Sequence, residues 1–256
     1  MDWKKESEMF NQMADYYDKY RPSYHNEIID TLIKRTRLTN GSKLLEIGAG
    51  SGKATELFTG KGFEILCIEP GTDLVKRGNE RFKDENFKFI ESRFEEYLEP
   101  PNYYDVVFSA QAFHWVPQPI GYEKCSVTLK ESGYLAIIYN MYIAYDNDFD
   151  NELLTISNKY SMGLSSADDC EKRADSIVAG IVESGLFSKP EVIRSSFEQT
   201  YTPDEYFGFA LTGNSFIQKT DEEKQIAYKE LVQLANKHNG MIQRPYVCAL
   251  YLAQKL

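Results

Sequence analysis

Five short apolar runs, separated by stretches long enough for helices, fill the middle of this chain. They are KLLEI (43–47), FEILCI (63–68), FKFIES (87–92), YDVVFSA (104–110) and YLAIIY (134–139). Runs of this length and composition read as strands buried on both faces. Residues 52–60, 72–83 and 118–130 between them suit helices, with Gly60-Lys61-Gly62 and Gly133 as stops. Strands that alternate with helices require a mostly parallel sheet covered on both sides, which is a doubly wound α/β fold.

The flanks of this core read differently. The first 20 or so residues place Trp3, Met9, Phe10, Met13, Tyr16, Tyr17 and Tyr20 near helical spacing, ending at Arg21-Pro22. A second helix is expected over 24–37, closed by the Asn40-Gly41 turn. After strand five, residues 148–186 read as helical, EVIRSSF (191–197) as a strand, 203–238 as helical with a turn at Leu211–Asn214, and RPYVCALYLAQKL as a last strand. The expectation is one domain over 1–256. It comprises N-terminal lid helices (1–40), a ligand-binding core (41–140), and helical cap segments with the last two strands (141–256) of a seven-stranded sheet.

Composition narrows the partners. Hydrophobic residues make up 42% of the chain, enough for a sizeable core, and no run approaches the ~20 apolar residues of a membrane span. The opening MDWKKESEMF lacks the apolar stretch of a secretory signal. A net charge of −10 without a basic stripe argues against nucleic acid as a partner. Cys67, Cys125, Cys170 and Cys248 show no CxxC spacing, and His25, His114 and His238 lie far apart, so no metal site is expected. These features point to a cytoplasmic protein, monomer or homodimer, acting on a small molecule.

The first strand runs straight into GAGSGK (48–53). Such a loop brings backbone close to a ligand at the carboxyl end of a sheet. A Walker loop is excluded, because position 47 is Ile and position 54 is Ala. A dinucleotide GxGxxG loop is weakened by Lys53 at its sixth position. The pattern present is E-x-G-x-G-x-G, Glu46 to Gly52, and an acidic residue there suits a cationic group over a pyrophosphate. Glu69 ends the second strand 19 residues after Gly50, the place from which a carboxylate accepts ribose hydroxyls.

LLEIGAGSGKAT (44–55), CIEP (67–70) and YDVVFSAQAFHWV (104–116) resemble the successive motifs of class I S-adenosylmethionine (SAM)-dependent methyltransferases, with their Rossmann-like fold. The likeness is greater to the subgroup that includes trans-aconitate methyltransferases, whose YDxYRPxYP and AQAxHW patterns are matched by residues 17–25 and 110–115. It spans residues 7–140 well and the rest only in element order. The resemblance implies that Gly48, Gly50 and Glu46 hold the methionyl part and that Glu69 and Pro70 hold the ribose and adenine. It also implies that Ser92, Arg93 and Phe94 line the adenine edge and that Ala110 and Gln111 flank the methionyl group. Tyr17, Arg21 and Tyr24 would close over SAM, with Arg21 on its carboxylate. The sequence departs from the subgroup at His25, where proline is usual, and lacks the Asp-Ala pair after the third strand.

His114, at the carboxyl end of a strand, is the candidate general base; its plainer role is a wall of the acceptor site. Trp115, Tyr139 and Tyr142 are candidate acceptor contacts. The implied reaction is methyl transfer to a small-molecule acceptor. A SAM-binding sensor or pseudoenzyme and an NAD-dependent oxidoreductase are the alternatives.

Overall fold

The computed structural model describes residues 19–98 and 100–256. Strands β1 (Lys43–Ile47), β2 (Glu64–Glu69), β3 (Phe87–Glu91), β4 (Tyr104–Ala110) and β5 (Leu129–Ala144) are parallel, in the order β3-β2-β1-β4-β5. The two-residue β6 (Ser165–Ser166) pairs with the end of β5. The sheet continues through β8 (Ile242–Gln254) to β7 (Glu191–Tyr201), both pairings antiparallel. The expected seven-stranded path is present, with β6 as a short addition.

Successive residues of the central strands face opposite cores. Leu44, Val106, Phe108 and Ala136 pack beneath α1 (Asn26–Thr36), on its Ile28, Ile29 and Leu32. Leu45, Val107, Leu135 and Ile137 pack beneath Tyr122 and Cys125 of α3 (Ile120–Thr128) and Cys170, Ala174 and Ile181 of α5 (Ala167–Glu183). Helix α2 (Thr72–Arg81) adjoins β2 and β3. Both faces are covered, so strands without polar alternation are the stable choice. All four cysteines are free and buried.

Three elements differ from the expected pattern. Residues 52–60 form turns and one 3-10 turn, Thr55–Phe58, and no α-helix. Thr55 directs its hydroxyl inward to Glu46, a side-chain bond that competes with a regular helix. The helix expected at 118–130 is confined to Ile120–Thr128, and β5 starts at Leu129 and runs through Gly133. A Cβ at Gly133 would lie 2.9 Å from the Leu129 side chain, so glycine serves close packing there instead of ending a helix. Finally, α5 is not part of the cap, because it lies on a sheet face.

The cap consists of α4 (Asp148–Tyr160), α6 (Pro203–Leu211), α7 (Asn214–Ile217) and α8 (Asp221–Lys237), gathered around Leu153, Tyr206, Phe216 and Leu231. Arg244 of β8 is fully buried there. It donates to Asp150 Oδ1 at 2.8 Å and to the Ile143 carbonyl at 2.7 Å. A buried guanidinium needs such a partner to offset its lost hydration. Among the described residues, no helix is long and apolar enough to cross a membrane.

Candidate functional site

The strand order reverses between β1 and β4, and a cleft of about 460 Å³ opens there at their carboxyl ends. Such a switch point is where open α/β sheets hold ligands, and the size is that of an ordinary small-molecule site. Its floor is the glycine loop. Gly48 and Gly50 have φ of +68° and +59°. A Cβ on Gly48 would lie 2.3 Å from the Ala112 Cβ, so this glycine lets the β4 loop approach. A Cβ on Gly50 would meet nothing within 4 Å. Gly50 therefore presents bare backbone to the cleft it lines.

Two carboxyl groups adjoin this loop. Glu69 accepts the Gly50 amide at 2.9 Å through Oε2 and the Gly71 amide at 2.9 Å through Oε1. Burial raises its pKa, and the two amide bonds oppose that shift. Each oxygen keeps a further acceptor site for a ligand hydroxyl. Glu46 is 1% exposed and accepts the Thr55 hydroxyl at 2.5 Å. Burial pushes its pKa up to about 8, against the Thr55 bond. Burial thus favours the neutral form of Glu46, whereas a cationic group bound beside it would favour the carboxylate.

The far wall is formed by Pro70, Ser92, Arg93 and Phe94. The Ser92 amide is bound to the Glu69 carbonyl at 3.1 Å, so this segment is set by the end of β2. Arg93 is paired with Glu95 and lies 3.7 Å from Glu96, which balances its charge locally. The near wall is formed by Ala110, Gln111 and Ala112, with Trp115, half exposed, beside them. Gln111 takes a left-handed φ of +60° and donates through Nε2 to the Asn140 carbonyl at 2.7 Å. Tyr24 closes one side and is buried.

Other expected site residues lie elsewhere. Tyr17 is outside the described residues. Arg21 does not line the cleft; its guanidinium donates to Thr212 Oγ1 and to the Tyr142 hydroxyl, both at 2.7 Å. These bonds turn the Arg21 guanidinium toward Thr212 at the end of α6 and Tyr142 of β5. His114, Tyr139 and Tyr142 are not among the residues that line the cleft. His114 Nδ1 is 2.9 Å from the Tyr139 hydroxyl, and the ring leans on Trp115. Burial, helped by the charge of Arg173, lowers the His114 pKa to about 4. The ring is therefore neutral in ordinary conditions, and it is a weak base.

Several contributors were not among the candidate site residues of the sequence: Lys53, Thr55, Ala112, Asn140 and Thr212. Asn140 carried a signal, being an amide inside YLAIIYNMY, a run otherwise fit for burial. Thr55 and Thr212 carried none. Among the described residues no cluster could hold a metal ion.

Residues 45–137 match the family model described as a methyltransferase domain. That stretch holds every lining residue of the cleft except Tyr24. Residues 45–137 are thus similar to a methyltransferase domain. The chain is 30% identical over 131 residues to the probable S-adenosylmethionine-dependent methyltransferase CRG1 of Saccharomyces cerevisiae, covering 49% of this chain and 45% of that protein. It is 30% identical over 98 residues to trans-aconitate 2-methyltransferase of Rhodopseudomonas palustris, covering 37% of each. The chain thus spans about half or less of the curated relatives it matches. The YcgJ protein of Bacillus subtilis shares the fold, with a TM-score of 0.58 at 14% identity, covering 90% of this chain and 99% of that one.

Proposed function

We propose that this protein transfers the methyl group of SAM to an oxygen, nitrogen or carbon atom of a small organic acceptor. The observation that carries the reading is the pairing of Gly50's bare backbone with Glu69, which is held in place by the Gly50 and Gly71 amides. A carboxylate fixed in this way presents lone pairs at one edge of the cleft, where ribose hydroxyls would bind. Pro70 and Phe94 offer an apolar wall to adenine. Ala110, Gln111, Gly48 and Glu46 surround the space left for the methionyl part.

Bound SAM supplies an electrophilic methyl group, whose displacement depends mainly on alignment and exclusion of water. His114 then serves as a wall of the acceptor side that orients Tyr139, and not as the base. Trp115, at the mouth of the cleft, and Tyr142, beside the cap, are the acceptor contacts of this reading. An acceptor of the trans-aconitate type is its finer form, supported by the motifs at 17–25 and 110–115. We further read the chain as one domain, with lid helices in 1–40, a SAM-binding core over 41–140, and helical cap segments with the last two strands in 141–256, α5 within that stretch lying on the sheet instead of in the cap. Its place is the cytoplasm, in keeping with four buried thiols.

The test is a screen of carboxylic acids, phenols and amines with SAM, scoring S-adenosylhomocysteine by mass. Product formation that depends on one acceptor class supports the reading. Tight SAM binding without product from any acceptor would favour a SAM sensor.

A further inference from the structure

We propose that Arg21 is a positioning residue that couples the cofactor cleft to the cap, through a strap formed by residues Tyr20–Tyr24. The inference rests on the reading that the cleft holds SAM. It replaces a direct cofactor contact of Arg21 with a mechanical one.

The strap is bonded to the cleft twice. Lys53, in the lining of the glycine loop, donates through Nζ to the Arg21 carbonyl at 2.6 Å. Asn140 donates through Nδ2 to the Ser23 carbonyl at 3.1 Å, and its own carbonyl accepts Gln111 Nε2 from the near wall. Tyr24 is itself part of the lining. Cofactor-side contacts therefore reach the strap from the glycine loop and from the end of β4.

The strap is bonded to the cap by the Arg21 side chain. Nε and Nη2 both reach Thr212, at Oγ1 (2.7 Å) and the carbonyl (3.4 Å), while Nη1 reaches the Tyr142 hydroxyl. The guanidinium carbon lies 5.2 Å from the centre of the Phe209 ring, near enough for a cation–π contact. Thr212 is buried and ends α6, bonding back to the Phe209 carbonyl at 2.6 Å. Tyr20 occupies the space a Cβ at Gly208 would need, 2.5 Å away, so the strap lies against α6. A planar fork that bonds the end of α6 in the cap and Tyr142 of β5 at once sets their mutual angle as a single ammonium cannot.

A ligand that immobilises Lys53, Gln111 and Tyr24 reduces the ordering cost of the strap. By linkage it also steadies whatever Arg21 holds. The α6 end and Tyr142 would then be ordered for the acceptor only when the cleft is filled.

Hydrogen exchange by mass spectrometry on the full chain tests this, with S-adenosylhomocysteine as the probe. In the wild type, the probe should slow exchange in the glycine-loop peptide. It should also slow the 206–213 peptide, by about fivefold, the lower end of ordinary site-to-site coupling. In Arg21→Gln the glycine-loop effect should persist and the 206–213 effect should fall below about twofold. Thr212→Val, which removes the shorter of the two Thr212 acceptors and leaves the strap intact, should weaken the 206–213 effect in the same direction. Equal cap protection in wild type and both variants would overturn the coupling while leaving the SAM reading standing. Absence of protection at the glycine loop in the wild type would overturn both.

Discussion

Gly50 and Gly48 are both left-handed, yet replacing them should do different things. In Gly50→Ala the methyl group enters open space within the cleft. The backbone strain costs about 1–2 kcal/mol, and affinity for S-adenosylhomocysteine should fall more than about tenfold. In Gly48→Ala the methyl group collides with Ala112, so the stability loss should be the larger of the two in urea unfolding. Glu46 makes a separate prediction in pH. Its folded pKa of about 8 lies above the ordinary carboxyl value of about 4.3 in the unfolded chain. Between those values the folded state binds the extra proton, so Glu46 favours the fold at low pH and the benefit fades as pH rises. Glu46→Gln, permanently neutral, should gain on the wild type by on the order of 1 kcal/mol or more between about pH 5 and about pH 8. A constant gap in unfolding free energy across that range would show that Glu46 is charged in the fold.

Among the elements, the caps are the easiest to test in isolation from the site. Thr220 heads α8 with a capping box, its hydroxyl accepting the Glu223 amide while Glu223 accepts the Thr220 amide. Thr220→Ala should cost about 1 kcal/mol of stability and leave ligand affinity unchanged, as read by urea unfolding beside calorimetry. Strand and helix order was legible in the sequence because apolar runs bounded by glycine leave few options to a buried parallel sheet. What was not legible depended on partners distant in sequence. The truncation of the expected 52–60 helix follows from Thr55 turning to Glu46, and the position of α5 on the sheet follows from Cys170, Ala174 and Ile181 finding β5 and β8. Arg21 was recognisable as important from its motif. Its actual partners, Thr212 and Tyr142, lie 191 and 121 residues away, beyond any local pattern.

At the scale of the molecule, the cleft joins three parts of the chain. The parallel core supplies its floor and walls, the strap supplies Tyr24, and the cap stands beyond Arg21. The cleft's lining sets Glu46, Glu69 and Glu95 against Lys53 and Arg93, with Arg93 ion-paired to Glu95, so it forms no basic funnel for a pyrophosphate. That is why the account favours SAM over a dinucleotide, although both bind at switch points of such sheets. The most direct test is isothermal calorimetry of the full chain with S-adenosylhomocysteine and, separately, with NADH, repeated on Gly50→Ala. The account predicts one site for S-adenosylhomocysteine, weakened more than about tenfold by Gly50→Ala, and no heat with NADH. Binding of NADH in preference, or binding of S-adenosylhomocysteine indifferent to Gly50→Ala, would contradict it.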